Sequence, residues 1–367
     1  MENADGYLTR RKFNGLLLGA TAAVAMPFGS AFGQGLKKMV FGAASKTITP
    51  LLAPFVVPEY LGYFKEEGLQ GDVAVLGSNA AVAAAAEQGR VETVVGVPSF
   101  QLQMLADGKP VNFINFFEYS YPFKWGVAVK PDSPIKTLAQ LKGKKIGVHN
   151  FGTSEYQVGK ILVKLSGLDP EKDVSWLSVG EAAGFSLAKG DIEALVYFDT
   201  GFGTIEASGI KLAYLPLPPN VPKVGGLYIG ATRKMFTERR ADLVKYGRAV
   251  AKAMFFIEEN PEAASYIFLQ MFPEAAPRNK STQEKVEAIL NPMVKRLPSF
   301  RHYDKSIKEY GYISQSELRE DVEFLGLQSK IKDSSHLYTN DLIKEINAFD
   351  REVVKKHARD FKLPYKS

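Results

Sequence analysis

The amino-acid sequence predicts an α/β protein built from two similar lobes, with additional helices at the C-terminal end. Residues 86–95 and residues 187–196 both have the pattern of a helix, a glycine stop and a short β-branched strand. A left-handed glycine suits the end of a helix, and a short apolar run suits a strand buried in a parallel sheet. Residues 134–167 add a helix, a strand, a Gly-Thr-Ser loop and a second helix. Two α/β lobes of one plan are the simplest explanation.

The first lobe is predicted to begin with a strand at 39–44. Further strands are predicted at 72–76, 94–97 and 111–117, and helices at 50–67, 79–88 and 99–106. Asn79 is predicted to cap the alanine-rich helix. Aromatic residues alternate from 119 to 125 before the apolar run 126–129, where we expect the first crossover between the lobes.

The second lobe is predicted to open with a capped helix. Thr137 and Gln140 have capping-box spacing, Gly143 fits a left-handed stop, and a strand follows at 145–149. The loop 151–154 then starts a helix whose free amides and positive dipole end suit a small anion. Simple capping of that helix is the commoner role for such residues and stays open.

The rest of the second lobe comprises a strand at 174–179 and the second copy of the repeat. A proline-rich stretch at 215–222 ends the lobe, and a strand at 225–230 returns to the first. Helical spacing from 243 to 257, capping boxes at Ser281/Glu284 and Ser314/Glu317, and a charged segment at 350–362 predict the C-terminal helices. These helices are expected to pack on the first lobe. Lobe 1 is thus predicted to comprise 37–128 and 225–367, and lobe 2 to comprise 129–224.

The first 33 residues have the zones of an export signal. Arg10 and Arg11 precede an apolar run at 16–25, which is followed by Pro27 and by small residues suited to cleavage before Gln34. This pattern predicts a twin-arginine signal peptide over residues 1–33 and a periplasmic location. The run is shorter than the roughly 20 apolar residues that span a membrane, so no stable span is expected after cleavage.

Composition excludes several classes of function. The chain has no cysteine, and its four histidines, at 149, 302, 336 and 357, lack helical ligand spacing, so we expect neither a metal nor a cofactor. The net charge of +6 comes from interspersed acidic and basic residues, which disfavours a nucleic-acid partner. No G-x-S-x-G, P-loop or G-x-G-x-x-G motif occurs. A non-enzymatic, monomeric protein is therefore expected.

Three segments resemble a known family: residues 60–69, 88–92 and 132–148. Over about residues 38–260 the chain is similar to periplasmic solute-binding proteins of ABC importers, in the subgroup for sulfonates, taurine, nitrate and thiamine-pyrimidine precursors. The resemblance implies a type II periplasmic binding protein, with two crossovers between lobes that close on one ligand. It also implies a membrane permease and an ATPase as partners.

The mixture of aromatic rings and helix N-termini favours a small organic anion, such as an aromatic carboxylate or a sulfonate. A pyrimidine or other thiamine-precursor-like heterocycle is the alternative. The segment 151–156 departs from the usual sulfonate-binder pattern. A periplasmic sensor of the same fold is a second class of function. A pyrimidine synthase is a third, although that enzyme depends on a cysteine-rich segment and this chain has no cysteine.

Ligands of open α/β sheets bind beyond the carboxyl ends of the strands, so helix-entry loops and the crossover supply the candidate site. The candidate ligand-binding residues are Ser45, Lys46, Thr47, Ser78, Asn79, Pro98, Ser99, Tyr121, Phe123, Trp125, Thr153, Ser154, Tyr156, Glu181 and Asp199. Core packing is the competing interpretation for Phe123 and Trp125, and solvation for Lys46. Glu181 and Asp199 are equally suited to capping helices.

Overall fold

The structure is a computed structural model that describes residues 35–151 and 154–366. The predicted signal peptide, residues 1–33, lies outside the described residues, as does Thr153. Within the described ranges, no helix has both the length and the apolar character that crossing a membrane requires.

Ten strands of the described chain form two five-stranded sheets, one in each lobe. The strands are β1 (Lys37–Ala43), β2 (Leu69–Val75), β3 (Thr93–Gly96), β4 (Phe113–Ser120), β5 (Trp125–Val129), β6 (Lys145–Val148), β7 (Ser175–Ser178), β8 (Ala194–Phe198), β9 (Ala213–Tyr214) and β10 (Leu227–Thr232). The first sheet has the order β2-β1-β3-β10-β4, and the second has the order β7-β6-β8-β5-β9.

Helices cover both sheets. They are α1 (Ala53–Tyr60), α2 (Tyr63–Glu66), α3 (Asn79–Glu87), α4 (Pro98–Ala106), α5 (Ser154–Leu165), α6 (Ala183–Lys189), α7 (Asp199–Ala207), α8 (Arg233–Glu238), α9 (Arg240–Glu259), α10 (Pro261–Met271), α11 (Thr282–Arg296), α12 (Gln315–Phe324), α13 (Ile343–Ile346) and α14 (Arg351–Asp360). Short 3-10 turns lie at Pro50–Leu52, Leu138–Leu141, Gly180–Ala182, Pro273–Ala275, Leu297–Phe300 and Ser335–Leu337.

The first lobe has a mixed sheet with a core on each face. β1 runs parallel to β2 and β3, whereas β10 runs antiparallel to β3 and β4. The larger core holds apolar residues of α1, α9, α10 and α11, and the opposite core holds those of α3, α4 and α12. The C-terminal helices α9 and α10 therefore pack on the first lobe.

The second lobe repeats this plan. β6 runs parallel to β7 and β8, and β5 runs antiparallel to β8 and β9. Apolar residues of α5 fill one face, and those of α6 and α7 fill the other. The predicted α/β fold of two lobes is confirmed.

The internal repeat is confirmed at both copies. Gly89 follows α3 with φ of 68°, and Gly190 follows α6 with φ of 86°. Both values lie in the left-handed region that glycine adopts readily. The strands that follow, β3 and β8, are both inner strands of their sheets. The two glycines thus end equivalent helices and direct the chain into equivalent strands.

The predicted end of the first segment of lobe 1 at residue 128 is wrong by four residues. β5, which begins at Trp125, belongs to the second sheet and pairs with β8. Its residues Trp125, Val127 and Val129 are buried in the core of the second lobe. The first crossover therefore occupies residues 121–124, because burial of the apolar β5 side chains requires the second core.

Four helix-end predictions need correction. The predicted helix at 50–67 is interrupted at Gly62, where φ is 81°. Ser78, not Asn79, caps α3, since its Oγ accepts a hydrogen bond from the Ala81 amide. Thr137 does form a capping box, but on a 3-10 turn. Ser314 makes no side-chain capping bond to α12, whereas the predicted box at Ser281 and Glu284 is present.

α11 packs in the first lobe and also contacts α7 of the second lobe. Its Pro292 backbone packs so tightly against Gly203 of α7 that a side chain at that glycine would clash. Lys295 forms an ion pair with Glu206 at 2.6 Å, and Arg296 forms one with Asp199 at 2.6 Å. α11 thereby adds a noncovalent connection to the two crossovers of the chain.

Candidate ligand-binding site

A cavity of about 340 Å³ lies between the two lobes, and we call it the cleft. Residues 97–99 of the first lobe form one side, and Ser154 and Glu155 of the second lobe form the other. Both crossovers contribute, one through Lys124 and Trp125 and the other through residues 224–227. Phe198, Asp321 and Phe324 complete the wall.

Two helices, one from each lobe, begin at the cleft. β3 ends at Gly96 and α4 begins at Pro98, where the proline suits the first helical position. In the second lobe, α5 begins at Ser154. The first amides of a helix have no partner within the helix, and they carry the positive end of its dipole. The two helix starts therefore offer donors to the cleft from opposite lobes.

Charged side chains of both signs line the cleft. Lys124 Nζ donates a hydrogen bond of 2.6 Å to the Gly225 carbonyl, and burial lowers the pKa of this amine to about 8. Asp321 Oδ1 accepts a hydrogen bond of 3.2 Å from the Gly225 amide, and burial raises the pKa of this carboxyl to about 7. Glu155 is also buried. The cleft thus has one amine and two carboxyls.

Aromatic rings form the apolar part of the wall. Trp125, Phe198 and Phe324 line the cavity, and Phe123 contacts Trp125 edge-on, with the ring centroids 5.2 Å apart. Flat aromatic walls with a few convergent polar groups are typical of small-molecule sites. The arrangement suits a planar ligand that also makes hydrogen bonds.

Gly225 shapes the cleft through its backbone. Its φ is 78°, and a side chain at this position would overlap the indole of Trp125. We expect Gly225→Ala to lower the free energy of unfolding by about 1–3 kcal/mol, because alanine is strained there and must displace the ring. Urea unfolding of the variant, followed by tryptophan fluorescence, measures this effect.

Gly209 provides the matched control for this prediction. Its φ is 90°, but nothing lies within 4 Å of where a side chain would be. Gly209→Ala therefore has the backbone strain without the collision. Equal losses of stability in the two variants would show that the indole is not held against Gly225.

A carboxyl cluster lies behind the cleft, formed by Glu118 of β4 with Glu317 and Asp321 of α12. The pKa of Glu118 is raised well above its usual value by burial and by the neighbouring Glu317 carboxylate. Burial raises the pKa of Glu317 to about 7, and Tyr228 donates a hydrogen bond of 3.3 Å to its Oε2. His302 Nε2 lies 3.7 Å from Glu317 Oε1, and burial lowers the pKa of this imidazole.

A second cavity, of about 540 Å³, lies beside α7 and the C-terminal end of α11. Phe123 and Asp199 line this cavity rather than the cleft, whereas Lys124 and Trp125 line both. Asp199 is engaged by Arg296 in the ion pair between the lobes. Its position at the first residue of α7 thus serves a contact with α11.

The structure brings Pro98, Ser99, Trp125 and Ser154 together among the predicted site residues. Tyr121 is 1% exposed, and its hydroxyl donates to the Tyr312 carbonyl at 2.8 Å, so it lies in the interior instead. Tyr156 packs between Phe151 and Trp176 of the second lobe.

Other predicted residues lie on loops away from the cleft wall. Glu181 has a side chain that is 95% exposed, 3.9 Å from His149 Nε2. Ser78 is used as the cap of α3. The remaining residues of this group are on the loop after β1 or at the start of α3, namely Ser45, Lys46, Thr47 and Asn79.

The sequence analysis did not identify the charged and aromatic cleft side chains Lys124, Glu155, Phe198, Asp321 and Phe324. Lys124 is a lone cation inside the aromatic stretch at the crossover, and that position is a usable signal. Glu155 directly follows Ser154, so it could have been included with the helix start. Asp321 and Phe324 have no local signal, because α12 reaches the cleft only through tertiary packing.

Comparisons with known proteins identify a family and several relatives. Residues 49–264 match the model of a protein family described as NMT1/THI5 like. A putative thiamine biosynthesis protein of Haemophilus influenzae is 24% identical over 62% of this chain and 71% of its own length. A 4-amino-5-hydroxymethyl-2-methylpyrimidine phosphate synthase of Aspergillus parasiticus is 27% identical over 68% of this chain and 75% of its own.

Among solved structures, a putative sulfonate ABC transporter periplasmic binding protein SsuA of Methylobacillus flagellatus is similar. The two folds superpose with a TM-score of 0.57 at 14% sequence identity, over 86% of this chain and 94% of the other. At this identity the likeness concerns the fold alone. The two sheets and their connections are those of a periplasmic binding protein.

Proposed function

Since more than half of its length matches the family model, the chain belongs to the NMT1/THI5-like family, and from this premise we propose that it is a solute-binding protein. In this proposal the protein is the extracytoplasmic component of an ABC uptake system and catalyses no reaction. A permease and an ATPase are its partners, and export by the twin-arginine route brings it to the periplasm.

The observation that carries the proposal is the construction of the cleft. Its walls come from α4 of one lobe and α5 of the other, and both crossovers line it. Rotation of one lobe relative to the other about the crossovers therefore opens or closes the cavity around a ligand. A solute-binding protein needs such a cavity between its lobes.

The polar groups of the cleft favour the pyrimidine-like alternative for the ligand. Two carboxyls, Glu155 and Asp321, face a single amine, Lys124, whose pKa is lowered to about 8. An ionised carboxylate can accept hydrogen bonds but cannot donate them, so it recognises N–H or O–H groups. An aromatic heterocycle with an amino group matches both these acceptors and the rings of Trp125, Phe198 and Phe324.

A small organic anion is the second candidate. The helix starts at Pro98 and Ser154 and the amine of Lys124 support it, because each favours negative charge. The carboxyls of Glu155 and Asp321 oppose it. An anion would bind with one of these groups protonated, so its affinity should fall as the pH rises above 7.

The names of the two relatives supply the probe for a test. Isothermal calorimetry should compare 4-amino-5-hydroxymethyl-2-methylpyrimidine with benzenesulfonate and benzoate, using mature protein at pH 7.5. We expect the pyrimidine to bind and, at a hundredfold excess over its Kd, to stabilise the protein by about 2.7 kcal/mol. Small-angle scattering should then show a smaller radius of gyration.

Separate outcomes contradict separate parts of the proposal. Binding of benzenesulfonate or benzoate alone would select the anion candidate. If mass spectrometry detects conversion of the pyrimidine to a product, the non-enzymatic role is contradicted. Absence of binding and of compaction with all three probes would reject the proposed ligand classes.

A further inference from the structure

α12 reaches the cleft although it lies outside the segment that matches the family model. That match ends at residue 264, whereas α12 comprises Gln315–Phe324. Asp321 and Phe324, near its C-terminal end, line the cleft beside Lys124. The part of the wall formed by α12 therefore lies outside the family match.

Only one of the two carboxylate oxygens of Asp321 forms a hydrogen bond within the described part of the chain. The side chain is 3% exposed, and Oδ1 accepts the hydrogen bond from the Gly225 amide at 3.2 Å. Oδ2 is buried and has no hydrogen-bond partner among the residues that the structure describes. A buried polar atom without a partner carries a desolvation cost, so a partner supplied from the cleft would relieve it.

The groups around Oδ2 of Asp321 favour a hydrogen-bond donor at that oxygen. Lys124 Nζ is directed to the Gly225 carbonyl at 2.6 Å, so the same glycine is held by Lys124 on one side and by Asp321 on the other. The charges of Glu317, Glu320 and Glu118, all acidic, also act on Asp321. Glu320 accepts a hydrogen bond from the Lys223 amide. Once Asp321 is ionised, above about pH 7, an additional acceptor at Oδ2 would be repelled, whereas an N–H would be attracted.

We propose that Asp321 is a specificity-determining residue, whose Oδ2 accepts an N–H bond from the amino group of an aromatic heterocyclic ligand. This inference rests on the proposed solute-binding function and deepens it. Phe324 lies one helical turn further along α12, so the helix presents a carboxylate and an aromatic ring to the same cavity. A planar ring with an exocyclic amino group can contact both at once.

The test compares two probes and two variants. The probes are 4-amino-5-hydroxymethyl-2-methylpyrimidine and the same ring without its amino group. Asp321→Asn keeps an acceptor for the Gly225 amide but replaces the free carboxylate oxygen by an NH₂ donor. Glu323→Gln removes one negative charge from the same helix at an exposed position outside the cleft, so it is the matched control.

The wild type should bind the amino-bearing ring at least tenfold more tightly than the ring without it. Asp321→Asn should weaken binding of the first probe at least tenfold and remove the difference between the probes. Glu323→Gln should change neither affinity. Melting curves establish that each variant is folded.

Unchanged affinity and selectivity in folded Asp321→Asn would overturn the role of Asp321, while binding and compaction of the wild type would still support the proposed function. If Asp321→Asn does not fold, the wild type alone decides. Equal affinity for the two probes would then overturn the inference. Wild type that binds neither probe overturns both the inference and the pyrimidine-like ligand class.

Discussion

Replacing Arg296 with methionine is expected to lower the free energy of unfolding by about 3–5 kcal/mol. Arg296 is 5% exposed, and its guanidinium donates to Ser120 Oγ at 2.8 Å in the first lobe and to Asp199 Oδ1 at 2.6 Å in the second. Without Arg296, the carboxylate of Asp199 stays largely out of water and loses its ion-pair partner. Removing one member of a buried ion pair is among the most costly single changes in a protein. Urea unfolding at pH 7 measures the loss.

The neighbouring residue provides the control. Lys295 pairs with Glu206, but these side chains are 34% and 26% exposed. Partly exposed ion pairs are screened by water and contribute less than buried ones, so Lys295→Met should cost only about 1 kcal/mol. The double variant Arg296→Met with Asp199→Asn should recover much of the stability lost in Arg296→Met, since no unpaired charge remains. Equal small losses in the two single variants would mean that the Arg296 pair is not buried in solution.

The stability of the protein is expected to decrease as the pH rises from about 5 to about 7, because of the carboxyl cluster. Burial raises the pKa of Glu317 and of Asp321 to about 7, whereas an unfolded chain has their ordinary values. Between those values the folded state holds protons that the unfolded state has released. Each such carboxyl then costs about 1.4 kcal/mol of stability per pH unit. The lowered pKa of His302 acts in the opposite direction, but it is one group against the three carboxyls of the cluster, whose pKa values are all raised.

Glu317→Gln isolates this effect. The amide keeps the size of the side chain and an acceptor for the Tyr228 hydroxyl, but it cannot ionise. We expect the variant to be more stable than the wild type at pH 8 and to depend less steeply on pH. Glu323→Gln removes an exposed carboxyl from the same helix and should keep the wild-type slope. If the free energy of unfolding of Glu317→Gln depends on pH as steeply as that of the wild type, the pKa of Glu317 is not raised.

The fold could be predicted from the sequence wherever a local pattern determines the structure. The two glycine-stopped helices and the strands after them need only a left-handed position and an apolar run, and Gly89 and Gly190 provide both. The crossover was misplaced because Trp125 and the residues after it form the same apolar pattern in either sheet. Only the packing of β5 against β8 decides which core these side chains enter.

The candidate site could be predicted in part for the same reason. Pro98, Ser99 and Ser154 stand at the starts of helices that follow strands, and the ends of those strands meet at the cleft. Glu317 shows what local spacing cannot provide. With Ser314 it has the spacing of a surface capping box, yet it lies buried beside Glu118 and Tyr228. Which face of α12 is buried depends on a strand far away in the chain.

The contacts between α11 and α7 have a consequence for the kinetics of ligand exchange. If only the two crossovers joined them, the lobes could rotate apart freely. α11 restricts this rotation, because its Pro292, Lys295 and Arg296 contact α7. Wide opening must either break these contacts or carry α11 along with the second lobe, and both cost free energy. The fraction of time that the protein spends wide open therefore depends on side chains of α11 that do not line the cleft. Weakening the α11 contact should speed both ligand entry and ligand escape, although no residue that touches the ligand has changed.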